Sequence, residues 1–124
     1  MIVVRDAHYP GRAAIDAYGN GGFRFAGMSH RGSLLCLPSG IYGWSEPGRI
    51  DESSLAAVFA EAASIEVLIV GTGRDIVPLP ADLKARLRDA AIVAEAMSTG
   101  AAVRTFNVLL AESRAVAAAL VAVD

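Results

Sequence analysis

Residues 67–80 read VLIVGTGRDIVPLP, and this stretch decides the fold. Six positions, 65–70, are apolar except for Glu66. A continuous apolar run of that length predicts a strand covered on both faces. It empties into Gly71-Thr72-Gly73 and then Arg74. Pro80 follows, a residue suited to the first turn of a helix, and Leu83 and Leu87 carry an amphipathic helix to about Ala90. A buried strand, a glycine loop and a helix together describe half of a βαβ unit.

The unit continues downstream. Residues 92–97 predict a second strand, with Ala91, Val93 and Glu95 on one face. Ser98 and Thr99 are good caps for a helix whose apolar stripe is Val103, Phe106, Leu109 and Leu110. The tail AVAAALVAV is alanine-rich, which favours helix, yet a helix there would be apolar on every side. It is read as a third strand from about Ala115. Strand, helix, strand, helix, strand implies right-handed crossovers and at least partly parallel pairing. Upstream, residues 51–64 carry a helical stripe in Leu55, Val58, Phe59 and Ala62, with Asp51, Ser53 or Ser54 as N-cap.

The first 47 residues have a different grammar. Strands are expected at about 14–18 and 23–26, joined by the turn Gly19-Asn20-Gly21-Gly22, where Asn and Gly supply positive φ. Phe23 and Phe25 share one face of the second strand and Arg24 takes the other. SLLCLPSG and IYGW read as two more short strands. The expectation is one α/β domain over residues 1–124, with a mixed central sheet and an N-terminal β layer.

Composition narrows the function. Net charge is −2, so nonspecific nucleic-acid binding has no electrostatic drive. The longest apolar run, residues 115–123, is far short of the ~20 residues that span a bilayer. The opening MIVVRDAHYP has an acid and a proline too early for a secretory signal, so a soluble cytoplasmic protein is expected. Cys36 is the single cysteine and lies among leucines, as a small buried hydrophobe would. His8 and His30 are far from each other and from any carboxylate pair at ligand spacing, so no metal or cofactor is expected. Ser33, Ser39 and Ser45 lack a nucleophile-elbow context, and no reaction is assigned.

The candidate site lies at the carboxyl edge of the sheet. If strands 65–70 and 92–97 are parallel neighbours, Gly71, Thr72 and Gly73 share one rim with Thr99. The helix starting there would aim free N–H groups at an anion. Arg104 and Asn107 complete the candidate ligand-binding set. The loop is neither a Walker loop nor a full dinucleotide fingerprint, and a tight turn with no room for side chains is the competing reading. Glu95 and Arg104 are candidates for a structural ion pair, because a carboxylate in an apolar strand needs a partner. Arg24 and Arg31 read as solvated hairpin charges. Tyr42 and Trp44 read either as an exposed contact patch, open to a dimer, or as a lid on the core.

The stretch IVAEAMSTGAAVRTFNVLLAESRAVAAAL, residues 92–120, carries Glu95, Met97, Thr99, Ala102, Arg104, Thr105, Phe106, Asn107 and Leu109. With Leu68, Gly71, Thr72 and Gly73, with Ile15, Tyr18, Phe23 and Phe25, and with Gly32, Ser33 and Pro38, it resembles one family. That family contains mitochondrial respiratory complex I assembly factor three and its bacterial and archaeal relatives. Val103 departs from the pattern, where relatives often have cysteine, and the short amino terminus departs from a mitochondrial presequence. The resemblance implies a three-layer α/β fold and a bacterial cytoplasmic relative. It also implies a noncatalytic assembly or interaction role with protein partners and possible peripheral membrane contact. It carries over no catalytic residues and does not fix the oligomeric state.

Overall fold

The computed structural model describes residues 9–45 and 48–124. His8, weighed above as a metal ligand, lies outside them. Five short strands come first: β1 (Ile15–Gly19), β2 (Gly22–Phe25), β3 (Met28–Arg31), β4 (Leu34–Leu37) and β5 (Gly40–Gly43). The chain then forms α1 (Ala56–Ala60) and a 3₁₀ turn (Ala62–Ser64). After these come β6 (Val67–Gly71), α2 (Ala81–Asp89), β7 (Val93–Met97), α3 (Thr99–Ala111) and β8 (Val116–Leu120).

β1, β2 and β3 make an antiparallel sheet. Asn20 and Gly21 between β1 and β2 both have positive φ, 54° and 79°. That is the handedness a two-residue hairpin needs. The second hairpin turns on Ala26 and Gly27, again both positive at 49° and 76°. An alanine in that conformation gives no sequence signal, and β3 reads Met-Ser-His-Arg, so the sequence reading passed over this strand. Its alternation is nevertheless there: Met28 and His30 are half-buried, Ser29 and Arg31 exposed.

The larger sheet runs β5-β4-β8-β6-β7. β6 pairs in parallel with β7 on one side and β8 on the other, while β4 pairs antiparallel with both β8 and β5. The alanine-rich tail is therefore a strand, and it is fully buried. α1 and α2 cover one face of this sheet, where Val58, Leu83 and Leu87 pack on Leu68, Val70, Ala117 and Ala119. α3 and the small sheet cover the other, where Val103, Phe106, Phe23 and Phe25 meet Ile69, Ala118 and Leu120. The result is three layers: helix, mixed sheet, then helix beside sheet.

One expectation about local structure is corrected, and for Trp44 one of two readings holds. The helix expected over 51–64 shortens to α1, whose N-cap Leu55 makes no side-chain cap bond. Asp51 and Ser54 instead close the preceding turn reciprocally. Ser54 N donates to Asp51 Oδ1 at 2.8 Å and Asp51 N to Ser54 Oγ at 2.9 Å. Trp44 is a lid on the core: it is buried and its Nε1 donates to the Ser54 carbonyl at 2.8 Å.

Candidate functional site

Parallel pairing of β6 and β7 brings the loop after Gly71 and the start of α3 to one rim. β8 joins them there, because Val121 N donates to Gly71 O at 2.9 Å. Among β7, β6 and β8 the second strand in sequence lies on one side of the first and the third on the other. Such an order creates a switch point between β6 and β8, outside whose carboxyl ends ligands bind in open α/β sheets.

Thr99 occupies the α3 side of this rim and is fully buried. Its Oγ1 accepts from Gly73 N at 3.0 Å and donates to Val121 O at 2.7 Å. Thr99 N donates in turn to Gly73 O at 2.8 Å. Ser98 caps the helix, with Ala101 N donating to its Oγ at 3.4 Å. A Cβ at Gly100 would collide with the Tyr18 hydroxyl, so that ring lies over the first turn. The N–H groups of Gly73, Thr99 and Ala101 are thus engaged by the chain itself. Gly71 belongs to the same seam: a Cβ there would sit 3.0 Å from Thr99 Cα and 3.1 Å from Ala102 Cβ. The missing side chain lets α3 approach the strand end.

Thr72 is the pivot of the loop. Its N donates to Met97 O at 2.9 Å, and its hydroxyl lies 2.8 Å from Asp75 O and 3.2 Å from Met97 O. The same oxygen accepts from Val77 N at 2.9 Å. One side chain thereby fixes the path of the loop to Val77.

Asn107 and Arg104 do not join these residues. The Asn107 amide accepts from Ile15 N and donates to Ile15 O, both at 2.9 Å, and so pairs β1 with α3. Arg104 is exposed on α3. The expected Glu95–Arg104 ion pair does not form among the described residues, since both side chains are exposed and neither has an ion-pair partner. The physical reason is that β7 is an edge strand whose Glu95 face α3 leaves open to water. Glu66, just before β6, pairs with Arg114 at 3.4 Å.

The open side of the rim is the one facing α2. A cleft of about 420 Å³ lies between residues 48–52, the loop 72–80 and the first turn of α2. Thr72 and Val121 mark its inner end, at the switch point between β6 and β8. Ile50, Leu79 and Leu83 give it apolar walls. Its rim is charged: Arg49 pairs with Asp51 at 3.3 Å and Arg86 with Glu52 at 2.7 Å, and Asp82 stands at the head of α2. Of the candidate ligand-binding set only Thr72 lines it. The sequence signal for the rest was the run Val77-Pro78-Leu79-Pro80, in which each proline fixes its own φ and biases the residue before it to extended backbone.

Among the described residues no three His, Cys, Asp or Glu side chains converge as a metal site. His30 Nε2 sits 3.2 Å from Ser33 O. Cys36 is buried in β4, and desolvation pushes its thiol pKa up to about 12. No helix among the described residues is long and apolar enough to cross a membrane.

Residues 15–121 match a family model described as protein of unknown function (DUF498/DUF598). An uncharacterised protein of Rhodobacter capsulatus is 41% identical over 94% of this chain and 90% of its own length. The mouse NADH dehydrogenase [ubiquinone] 1 alpha subcomplex assembly factor 3 is 30% identical over 97% of this chain; the match spans 66% of the mouse protein. Among solved structures, a Bartonella henselae protein described as an outer membrane protein is 58% identical. It superposes with a TM-score of 0.89 over 94% of this chain and 100% of that one.

Proposed function

The chain belongs to the DUF498/DUF598 family, and we propose that it is a noncatalytic interaction or assembly factor acting on a protein partner. The observation that carries this reading is the 30% identity, over 97% of the chain, to a protein named as an assembly factor of NADH dehydrogenase. The partner would be a subunit of a respiratory or other membrane-associated complex, met at the cytoplasmic surface. The rim geometry supports the reading. Gly73, Thr99 and Ala101 direct their N–H groups at the chain's own oxygens, an arrangement that builds a rigid platform.

Tagged protein purified from its native cells after mild crosslinking should recover a stoichiometric respiratory or membrane-biogenesis subunit. Recovery of no partner overturns the assembly reading. The second reading is a binder of a small molecule or anion, and the cleft at the β6/β8 switch point favours it. A ligand-screening thermal shift separates the two, since a bound small molecule raises Tm without any protein partner.

A further inference from the structure

We propose that the cleft between residues 48–52, the loop 72–80 and α2 is a docking groove for a short apolar segment of a partner protein that carries a basic side chain. The proposal rests on the assembly reading and supplies its surface and its partner chemistry. Its first support is the loop. Thr72 fixes the backbone through Val77 N and Asp75 O, yet Ile76 is 61% exposed and Val77 56% exposed. Among the described residues no other two large hydrophobics adjacent in sequence are both exposed, and Val77 lines the cleft. Two large apolar side chains held in water on an ordered loop mark a contact surface, because covering them removes apolar area from solvent at no further ordering cost to the loop.

The second support is the groove below them. Ile50, Leu79, Leu83 and Val121 continue the apolar surface inward, and a volume of about 420 Å³ accepts inserted side chains. The third is charge. Two arginines and three carboxylates line the cleft. Arg49 and Arg86 each pair with one carboxylate, which leaves Asp82 without an ion pair among the described residues. A carboxylate at the head of α2 also faces the positive end of the helix dipole. The complementary partner group is a lysine or arginine beside the apolar side chains.

The full chain is titrated, by amide-resolved NMR, with the blocked peptides acetyl-Val-Leu-Lys-Val-Leu-amide and acetyl-Val-Leu-Glu-Val-Leu-amide. The lysine peptide should give saturable shifts confined to Ile50, Val77, Leu83 and Val121. The glutamate peptide should bind about two- to fivefold more weakly, the scale of an exposed charge contact. D82N should abolish that difference while V77S, an exposed and foldable change, weakens both peptides. Equal affinities for the two peptides, shifts scattered away from the cleft, or self-association of the chain through this face would overturn the groove. A native partner captured equally by wild type and V77S also overturns the groove but leaves the assembly reading standing, whereas a wild type that captures no partner removes the assembly reading itself.

Discussion

Thr99 was legible in the sequence as a helix cap, but its larger role was not. Its hydroxyl joins Gly73 on one strand exit to Val121 on another, 26 and 22 residues away. No local pattern encodes a contact of that span. Thr99→Val keeps the shape and leaves a buried donor and a buried acceptor unpaired, at about 1–3 kcal/mol each. Thr99→Ser keeps both bonds and loses a buried methyl, about 1 kcal/mol. Urea unfolding of the two variants should therefore differ by roughly 1 kcal/mol or more; equal losses would mean that the hydroxyl does not bridge the strands. Arg104→Ala should leave stability within about 0.5 kcal/mol of wild type, because the side chain is exposed and has no ion-pair partner among the described residues. Cys36 supplies a pH dependence. Burial raises its folded pKa to about 12, from the 9.0 of an exposed thiol. Above pH 9 the unfolded chain releases the thiol proton and the folded chain keeps it. Stability then falls as pH rises, by about 1.4 kcal/mol per pH unit. Denaturation between about pH 10 and 11, above the thiol pKa of the unfolded chain and below that of the folded one, should show that slope in wild type and its loss in Cys36→Ala.

At the scale of elements, the βαβαβ half was legible because β6 and β8 are continuous apolar runs, β7 is interrupted only by Glu95, and each helix carries an apolar stripe. β8 is the informative case. Its alanines suit a strand buried on both faces, since Ala118 faces α3 while Ala117 and Ala119 face α2, and small side chains let both layers come close. Ala118→Leu should cost about 1–3 kcal/mol through overpacking, and a neutral result would imply space there that a fully buried strand does not have. β3 escaped notice because a polar edge strand carries almost no periodic signal, and α1 fell short because the Asp51–Ser54 turn takes up the residues expected to cap it. The small sheet hangs on Asn107, whose amide substitutes for a strand neighbour at Ile15. Asn107→Asp keeps the acceptor for Ile15 N and sets a carboxylate against Ile15 O. Hydrogen exchange should quicken across β1 and remain slow in β6, with a stability loss of about 1–3 kcal/mol. Uniform loss of protection would instead make the two sheets a single cooperative unit.

At the scale of the molecule, the shared rim was legible and its two sides were not. Parallel β6 and β7 put the glycine loop beside the α3 terminus, as strand order and the glycines implied. Which N–H groups stay free there depends on groups arriving from β1 and from the end of β8, and those placements follow from packing of the whole. Tyr18 covers Gly100, and the Val121 carbonyl takes the Thr99 hydroxyl. The two faces of the rim therefore differ: the α3 side is stitched shut and the α2 side is open. Phosphate tests that difference. An anion site on the α3 side, saturated a hundredfold over its Kd, would add about 2.7 kcal/mol, several degrees in Tm for a domain of this size. Arg104, exposed one turn into α3, would carry part of it. The stitched rim predicts the contrary. Millimolar phosphate should shift the Tm of wild type and Arg104→Ala equally, because the only effect left is exclusion of the salt from the protein surface, which does not depend on that arginine. An Arg104-dependent increment would mean that the seam between Gly73 and Thr99 opens to admit an anion, and the site would move back to the face where the glycines first placed it.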